Sequence, residues 1–252
     1  MDSSRLDQQA AIVTGAAQGI GRGIALVLAE AGVKIAIGDI QSSDGTVEEI
    51  RSTGGQAVSM IMDTSRSDDA RALVDLALKE YGRLDLLVNN AGIDAPRGNA
   101  WDLPDEEWQR VIDVNLSGVF YCSRAALQPM LEAGRGCIVN ISSQAARVGE
   151  KGMSPAYNAS KAAILGLTMA FSAQVAEKGV RVVAIMPGAV ESRDFGWSVE
   201  KREAMVREYP LGLGTPRDVG ETVRHLASPG ARWVSGTAIQ LTGGYQRGSS
   251  WY

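Results

Sequence analysis

The chain has 252 residues, 45% of them hydrophobic and 21% charged, with 29 glycines and a formal net charge of −4. That length and apolar share suffice for one large domain with a full core. The interleaved acidic and basic residues leave no electrostatic footprint for nucleic acid, and no apolar run approaches the ~20 residues of a membrane span. The polar start, Met1 to Gln9, lacks the apolar region of a signal peptide, so a soluble, cytoplasmic protein with no membrane partner is expected. Cys122 and Cys137 lie in apolar segments and the lone histidine, His225, has no neighbours at metal-ligand spacing, so all three read as packing residues and no metal is expected.

In chain order, Ala10 to Thr14 is a short apolar run ending at Gly15, and Gly19 opens a periodic segment through Ala31, closed by Gly32: strand, glycine turn, helix. The alternation repeats with strand over 33–38, helix over 43–53, strand over 57–62, helix over 68–81 and strand over 84–89. A long helical pattern over 105–131 is broken by Gly134 and Gly136, before a strand over 137–141, a helix over 155–178 and a strand over 180–186. Beyond Pro187-Gly188 the pattern loosens across 190–215, which reads as a substrate lid; a helix over 217–227 and a strand over 238–241 follow. Residues 1–9 form an N-terminal segment, and 245–252, with Trp251, an aromatic tail.

No repeat or linker divides the series, so a single α/β domain spanning 1–252 is expected. Helical crossovers between buried strands predict an open parallel sheet with helices on both faces. Ligands of such sheets bind beyond the carboxyl ends of the strands, where the strand order reverses. The site is therefore expected at Gly15, Asp39, Asp63, Asn89, Ser143 and Pro187.

Thr14-Gly15-Ala16-Ala17-Gln18-Gly19-Ile20-Gly21 offers a tight turn, backbone clear of Cβ atoms and a helix N-terminus that suits a pyrophosphate. Its Gly-x-x-x-Gly-x-Gly spacing departs from the Gly-x-Gly-x-x-Gly fingerprint, and a glycine-rich turn without ligand is the alternative. Asp39, followed by Ile40, stands where a carboxylate can accept from both ribose hydroxyls and repel a 2′-phosphate, or is a polar strand end. No arginine follows it and Gln18 brings no charge, which favours NAD over NADP. Asp63, followed by Thr64, either accepts from an adenine amino group or belongs to a helix-capping segment. Asn89-Asn90-Ala91-Gly92 suits close passage of backbone against a cofactor, or is a plain turn.

Tyr157 and Lys161, at i and i+4, share a helix face, and an ammonium beside a phenol favours the phenolate. Tyrosine ionises near pH ~10, so a proton shuttle at neutral pH needs such help. Taken alone, the pair reads first as a helix-surface pair, and Ser142-Ser143 as a strand end.

Together, in this order, Thr14 to Gly21, Asp63, Asn89 to Gly92, Val114-Asn115, Ser143, Tyr157-x-x-x-Lys161 and Pro187-Gly188 resemble the short-chain dehydrogenases/reductases, in their NAD-using branch. The resemblance runs from Thr14 to Gly244. It implies a Rossmann-like, doubly wound sheet of about seven parallel strands, NAD as cofactor, no metal, and commonly a homotetramer built on the two long helices beside the active site. Tyr157 resembles the general acid/base, and Lys161 the residue that lowers its pKa and holds the nicotinamide ribose. Ser143 resembles the hydroxyl that polarises the substrate carbonyl, and Asn115 the residue that fixes a helix distortion and a water linking Lys161 to solvent. Pro187, Gly188, Val190 and Ser192 match the segment around the nicotinamide carboxamide, with Ser192 where threonine is commoner. The gap from Ser143 to Tyr157 is about one residue longer than usual; Ser142 would lie farther still, so Ser143 is the expected catalytic hydroxyl.

The expected activity is NAD-dependent interconversion of a secondary alcohol and a ketone. A 3-oxoacyl-thioester (acyl carrier protein) reductase is the second enzyme reading, disfavoured by Asp39, and an NAD(H)-binding sensor or scaffold is the non-enzymatic one. Asp94 and Arg97, then Gln144, Arg147, Glu150 and Lys151, then Glu191, Arg193, Asp194 and Trp197 flank the expected site. Their polarity points to a polyol, sugar-like or small anionic substrate, or else they are solvated loop charges.

Overall fold

The computed structural model describes residues 6–96, 98–149, 152–192 and 198–245. The apolar runs become the strands β1 (Ala10–Thr14), β2 (Lys34–Asp39), β3 (Ala57–Ile61), β4 (Leu86–Asn89), β5 (Gly136–Ile141), β6 (Val180–Pro187) and β7 (Ala238–Leu241). The amphipathic segments become α1 (Gly19–Glu30), α2 (Asp44–Ser52), α3 (Ser67–Tyr81), α4 (Asp105–Ile112), α5 (Gly118–Ala133), α6 (Pro155–Val175), α7 (Val199–Glu208) and α8 (Pro216–Ala227). All strands pair in parallel, in the order β3-β2-β1-β4-β5-β6-β7. The order reverses between β1 and β4, so a crevice opens beyond their carboxyl ends, as expected for a doubly wound Rossmann-like sheet.

Side chains alternate across a strand, and here both faces are apolar because both are covered. Ala11 and Val13 of β1 pack with Ile24 and Leu28 of α1 and with Val219 and Val223 of α8. Ile12, between them, packs on the other face with Leu73 and Ala77 of α3 and Met130 of α5. Each fully buried isoleucine or leucine contributes about 1.5–3 kcal/mol, so these two layers drive the fold. Cys122 and Cys137 belong to the layers as packing residues, and burial pushes their thiols up to about 12 and about 11.

Two elements differ from the sequence expectation. The helical pattern over 105–131 is interrupted by a π-helical turn, Asp113–Ser117, between α4 and α5. The span 190–215 contains α7, which buries none of its residues and so carries no apolar stripe for a sequence reading to detect. A third correction concerns Asn89, expected in the site. It is 3% exposed, and its Nδ2 donates to Ser123 Oγ at 2.9 Å and to Asn140 Oδ1 at 2.8 Å. Asn140 in turn donates to Thr168 Oγ1 at 2.9 Å, so this is a satisfied polar chain inside the core.

The opposite end of the sheet is closed by charge. Asp85, 9% exposed, accepts two bonds at 2.7 Å from Arg83, one at 3.3 Å from Arg135 and one at 3.0 Å from the Ala10 N–H. Burial alone pushes its carboxyl up, but the Arg83 bonds, the Ala10 N–H and Arg135 outweigh burial and hold it below the usual carboxylate range. Asp85→Asn is therefore expected to lower unfolding free energy by about 1–3 kcal/mol at pH 7. A depressed carboxylate stabilises above its unfolded value and loses that stabilisation as pH falls through its folded value. Urea unfolding of both proteins should show the gap narrowing below about pH 4; a gap that stays constant to pH 2.5 or so would show that the charge of Asp85 is not what stabilises.

Candidate active site

The glycine turn after β1 is pressed onto the loop after β4. Gly15 has φ of +67°, and a Cβ there would lie 2.8 Å from Ala91 Cα; a Cβ on Gly21 would lie 2.1 Å from the Gly15 carbonyl oxygen. Asn90 braces the two loops, its Nδ2 donating to the carbonyls of Thr14 at 2.9 Å and Gly15 at 2.8 Å. The Thr14 hydroxyl accepts from the N–H groups of Asn90 and Ala91, each at 3.1 Å. Gln18 precedes α1 in extended conformation and makes no side-chain cap bond to the first-turn N–H groups of the helix.

At the end of β2, Asp39 accepts from the Ala17 N–H and the Gln41 N–H, both at 2.9 Å, one on each oxygen. A carboxylate has about four lone-pair sites, so two remain for hydroxyl donors. Ile40 beside it is 69% exposed. Asp63 accepts from the Ser65 N–H at 2.9 Å and the Ser65 hydroxyl at 2.7 Å, both on Oδ1, while its own N–H donates to Asp69 Oδ2 at 2.9 Å. Thr64 is buried against Gly118, where a Cβ would lie 3.0 Å from its own.

Asn115 sits in the π-helical turn with no exposure. Its Oδ1 accepts from the Ile93 N–H at 2.8 Å, and its Nδ2 donates to the Ile93 carbonyl at 2.8 Å and to Ser160 Oγ at 3.1 Å. Ser160 passes the link on, donating to the Tyr157 carbonyl at 2.8 Å. Gly92 fills the remaining gap: a Cβ there would lie 3.3 Å from both Asn115 Oδ1 and Lys161 Nζ. Lys161 is 4% exposed; its Nζ donates to the Ile141 carbonyl at 2.9 Å and lies 5.7 Å from the centroid of the Tyr157 ring. Burial lowers its pKa from 10.5 to about 8.

The two serines after β5 divide their work. Ser142 is 3% exposed and donates to the Lys161 carbonyl at 2.7 Å. Ser143, half-buried, caps the short 3₁₀ turn Gln144–Ala146, its Oγ accepting from the Ala145 N–H at 3.1 Å. Asn158 clamps that turn to α6, its Nδ2 donating to the carbonyls of Ala145 at 2.7 Å and Val148 at 2.9 Å. Neither Asn158 nor Ser160 was singled out from the sequence, although both lie within the Tyr157–Lys161 stretch, where polar residues inside a helix signal side-chain to backbone bonding.

Beyond Pro187, the Gly188 N–H donates to the Leu241 carbonyl at 2.9 Å, and Val190 forms a parallel bridge with Gly214. Ser192 approaches the glycine turn, its Cβ 3.7 Å from where a Gly19 Cβ would stand. Of the expected substrate-side residues, Glu191 is paired with Arg202 at 2.8 and 3.0 Å, and Asp94 accepts from the Ala95 N–H at 2.8 Å. Arg97, Glu150, Lys151, Arg193, Asp194, Trp197 and Trp251 lie outside the described residues. Among the described residues no cluster of three His, Cys, Asp or Glu side chains could hold a metal ion.

The buried lysine makes stability depend on pH in a stated direction. Its folded pKa lies below its unfolded value, so the unfolded chain binds more protons between about pH 8 and 10.5, and stability rises with pH across that window. Denaturant unfolding of the cofactor-free protein from pH 7 to 10 should show the wild type gaining on the order of 2–4 kcal/mol relative to Lys161→Met. Parallel curves for the two proteins would mean that the ammonium is not desolvated.

Comparison with known proteins agrees with this geometry. Residues 9–203 match the family model for short chain dehydrogenases. Cis-4-hydroxycyclohexanecarboxylate dehydrogenase of Sinomonas cyclohexanicum is 38% identical over 241 residues, covering 94% of this chain and 96% of that one. The 3-oxoacyl-(acyl-carrier-protein) reductase of Staphylococcus aureus strain Mu50 is 38% identical over 242 residues, covering 94% and 97%. Among solved structures, 7α-hydroxysteroid dehydrogenase complexed with NADH and 7-oxo glycochenodeoxycholic acid superposes with a TM-score of 0.91 at 34% identity, over 97% of this chain and 96% of that one. On the match and these relatives, the chain belongs to the short-chain dehydrogenase/reductase family.

Proposed function

We propose that this oxidoreductase interconverts a secondary alcohol and a ketone with NAD as its cofactor, Tyr157 moving the proton. The observation that carries the reading is the buried Lys161 ammonium, fixed by the Ile141 carbonyl at 2.9 Å and 5.7 Å from the Tyr157 ring centroid. An ammonium in so dry a place favours a phenolate neighbour, and below its pKa of about 8 the charged form dominates.

The glycine turn fits a dinucleotide, since the α1 N-terminus carries no side-chain cap. Gly15, Gln18, Gly19, Ile20 and Gly21 would hold the pyrophosphate, Asp39 and Ile40 the adenosine ribose, and Asp63 and Thr64 the adenine. Asn90, Ala91 and Gly92 would line the crevice, Lys161 the nicotinamide ribose, and Pro187, Gly188, Val190 and Ser192 the carboxamide. When bound, NAD supplies the hydride acceptor. The chain's own residues handle the proton: the Tyr157 phenolate takes it from the substrate hydroxyl, and Lys161 stabilises that phenolate. Ser143 Oγ already accepts from the Ala145 N–H, which leaves its hydrogen for the substrate oxygen as charge develops there. Ser142 is committed to the Lys161 carbonyl, which supports Ser143 as the catalytic hydroxyl. Asn115 holds the loop after Gly92 to the Tyr157–Lys161 segment through Ile93 and Ser160.

NAD rather than NADP rests on Asp39, whose remaining lone pairs suit ribose hydroxyls and whose charge repels a phosphate. For the substrate, we favour a cyclic secondary alcohol bearing an acid group, which joins the anionic-substrate reading of the loops to the substrate named for the Sinomonas relative. The acyl-carrier-protein reductase reading has a 38% identical relative on its side and Asp39 against it. A homotetramer is supported by α6, whose outer face presents Ala162, Gly166, Ala170 and Ala173, with Met169 57% exposed. The two free, buried cysteines fit a reducing cytoplasm.

A panel of hydroxycyclohexanecarboxylates, cyclic alcohols, polyols, sugars, hydroxy acids and 3-hydroxyacyl thioesters, scored by reduced-cofactor absorbance with NAD and NADP, tests the reading. Tyr157→Phe is expected to reduce turnover by about 10²–10⁴-fold while NADH affinity changes little. Near-normal turnover in that variant would sink the proton assignment, and tight NADH binding with no turnover of any alcohol would favour the sensor. Asp39→Ser is expected to raise the NADP-to-NAD ratio of kcat/KM by about tenfold, a change of ~1.4 kcal/mol; an unchanged ratio would remove Asp39 from the ribose.

A further inference from the structure

Tyr209, one residue past α7, is 3% exposed although α7 itself buries nothing. Its hydroxyl accepts from the Ala189 N–H at 3.0 Å and from Gln144 Nε2 at 3.1 Å, and lies 3.4 Å from Gln144 Oε1. Its ring stacks on Tyr245, with centroids 4.8 Å apart and planes 18° from parallel. The packing is close enough that a Cβ on Gly188 would lie 2.9 Å from Tyr209 Cε1 and 3.2 Å from Gln144 Oε1. One side chain thus joins the segments leaving three neighbouring strands: Gln144 after β5 and next to Ser143, Ala189 after β6 and next to Pro187-Gly188, and Tyr245 after β7.

We infer that Tyr209 is a positioning residue for the reaction: its hydroxyl holds the Gly188–Ala189 backbone and the Gln144 amide in fixed register across the nicotinamide end of the crevice. The inference rests on the proposed function, in which cofactor and alcohol meet between those two segments. A phenolic oxygen has two acceptor sites, and here donors from two different strand exits fill them. Without the hydroxyl, a backbone N–H and an amide lose a shared acceptor where water is scarce, and both segments must shift to find new partners. The shift falls at Gln144, beside the hydroxyl proposed to touch substrate, and at Gly188, beside the nicotinamide. It spares the adenosine end, where Asp39 is held by Ala17 and Gln41.

Tyr209→Phe keeps the ring and its stack while deleting the hydroxyl. Calorimetric titration with NADH and with ADP-ribose, which lacks only the nicotinamide, reads the two ends of the site separately. The expected result is an NADH Kd raised about fivefold, as for one lost neutral hydrogen bond, with the ADP-ribose Kd within about twofold. With the best alcohol of the panel, kcat should fall about tenfold and the primary deuterium isotope effect should grow, and adding Gln144→Ala should cost little more, since the two act as one unit. Equal changes for both ligands, or a lower Tm with unchanged Kd and kcat, would overturn the inference and leave a packing role. If Tyr209→Phe does not fold, Gln144→Ala alone is read by the same pair of titrations, with the same nicotinamide-selective loss expected. Wild-type protein that binds neither NADH nor ADP-ribose would sink the cofactor reading and this inference together; wild type that binds both, beside an insensitive variant, sinks the inference alone.

Discussion

Burying the Lys161 ammonium is costly, and much of the local architecture around it makes that burial tolerable. Among the described residues the charge has one acceptor at 2.9 Å, the carbonyl that ends β5, so the strand's last residue and the helix must keep a fixed separation. Ser142 sets that separation from the other side, donating to the lysine's own carbonyl. Gly92 leaves the room that a Cβ would take from the ammonium, and Asn115 occupies the space beside it only because α4 and α5 are joined by a π-helical turn. Wider turns of this kind recur at functional sites, since the extra residue re-aims one side chain without ending the helix. That burial lowers the lysine's pKa to about 8.

The two ends of the sheet solve different problems with polar residues. At the amino end Asp85 gathers Arg83, Arg135 and the Ala10 N–H. At the carboxyl end, Asp39 and Ser143 accept from backbone N–H groups of the turns beyond the strands. Between them lies the chain from Asn89 through Asn140 to Thr168, which is satisfied within the core and joins β4, β5 and α6 directly beneath the site. Such a network fixes the register of its elements more sharply than apolar packing alone.

The fold was legible because two-sided burial leaves an unmistakable record: short apolar runs alternate with helical periods, and glycines stand at the turns. The Tyr157 and Lys161 pair was legible from spacing, and its family from the order of the surrounding motifs. Four features were not. α7 buries no side chain, so nothing in its composition repeats every three to four residues. The π-helical turn changes backbone winding by one residue and leaves the apolar pattern almost untouched. The adjacent Asn89 and Asn90 look alike in sequence, yet strand alternation turns the first into the core and leaves the second to brace the glycine turn. Tyr209 depends on partners 20 and 65 residues away, and a contact of that range has no local signature.

The segment after β6, 190–215, ends where α8 packs on α1. Its far end enters α8 through Thr215, which forms a reciprocal cap with Asp218, and α8 lies on α1 so closely that a Cβ on Gly23 would stand 2.4 Å from Pro216 Cβ. Gly220 makes the matching approach, where a Cβ would lie 3.0 Å from the Gly23 carbonyl oxygen. Two glycines therefore let the helix axes approach more closely than side chains normally permit, and they fix the start of α8 to α1. The Val190 bridge to Gly214 ties the near end of the segment to its far end, beside that helix pair. The bonds that hold Asn115, Ser142, Ser160 and Lys161 run among α6, the π-helical turn and the segments leaving β4 and β5. Tyr209, one residue past α7, joins this segment to those leaving β5 and β6 through Gln144 and Ala189.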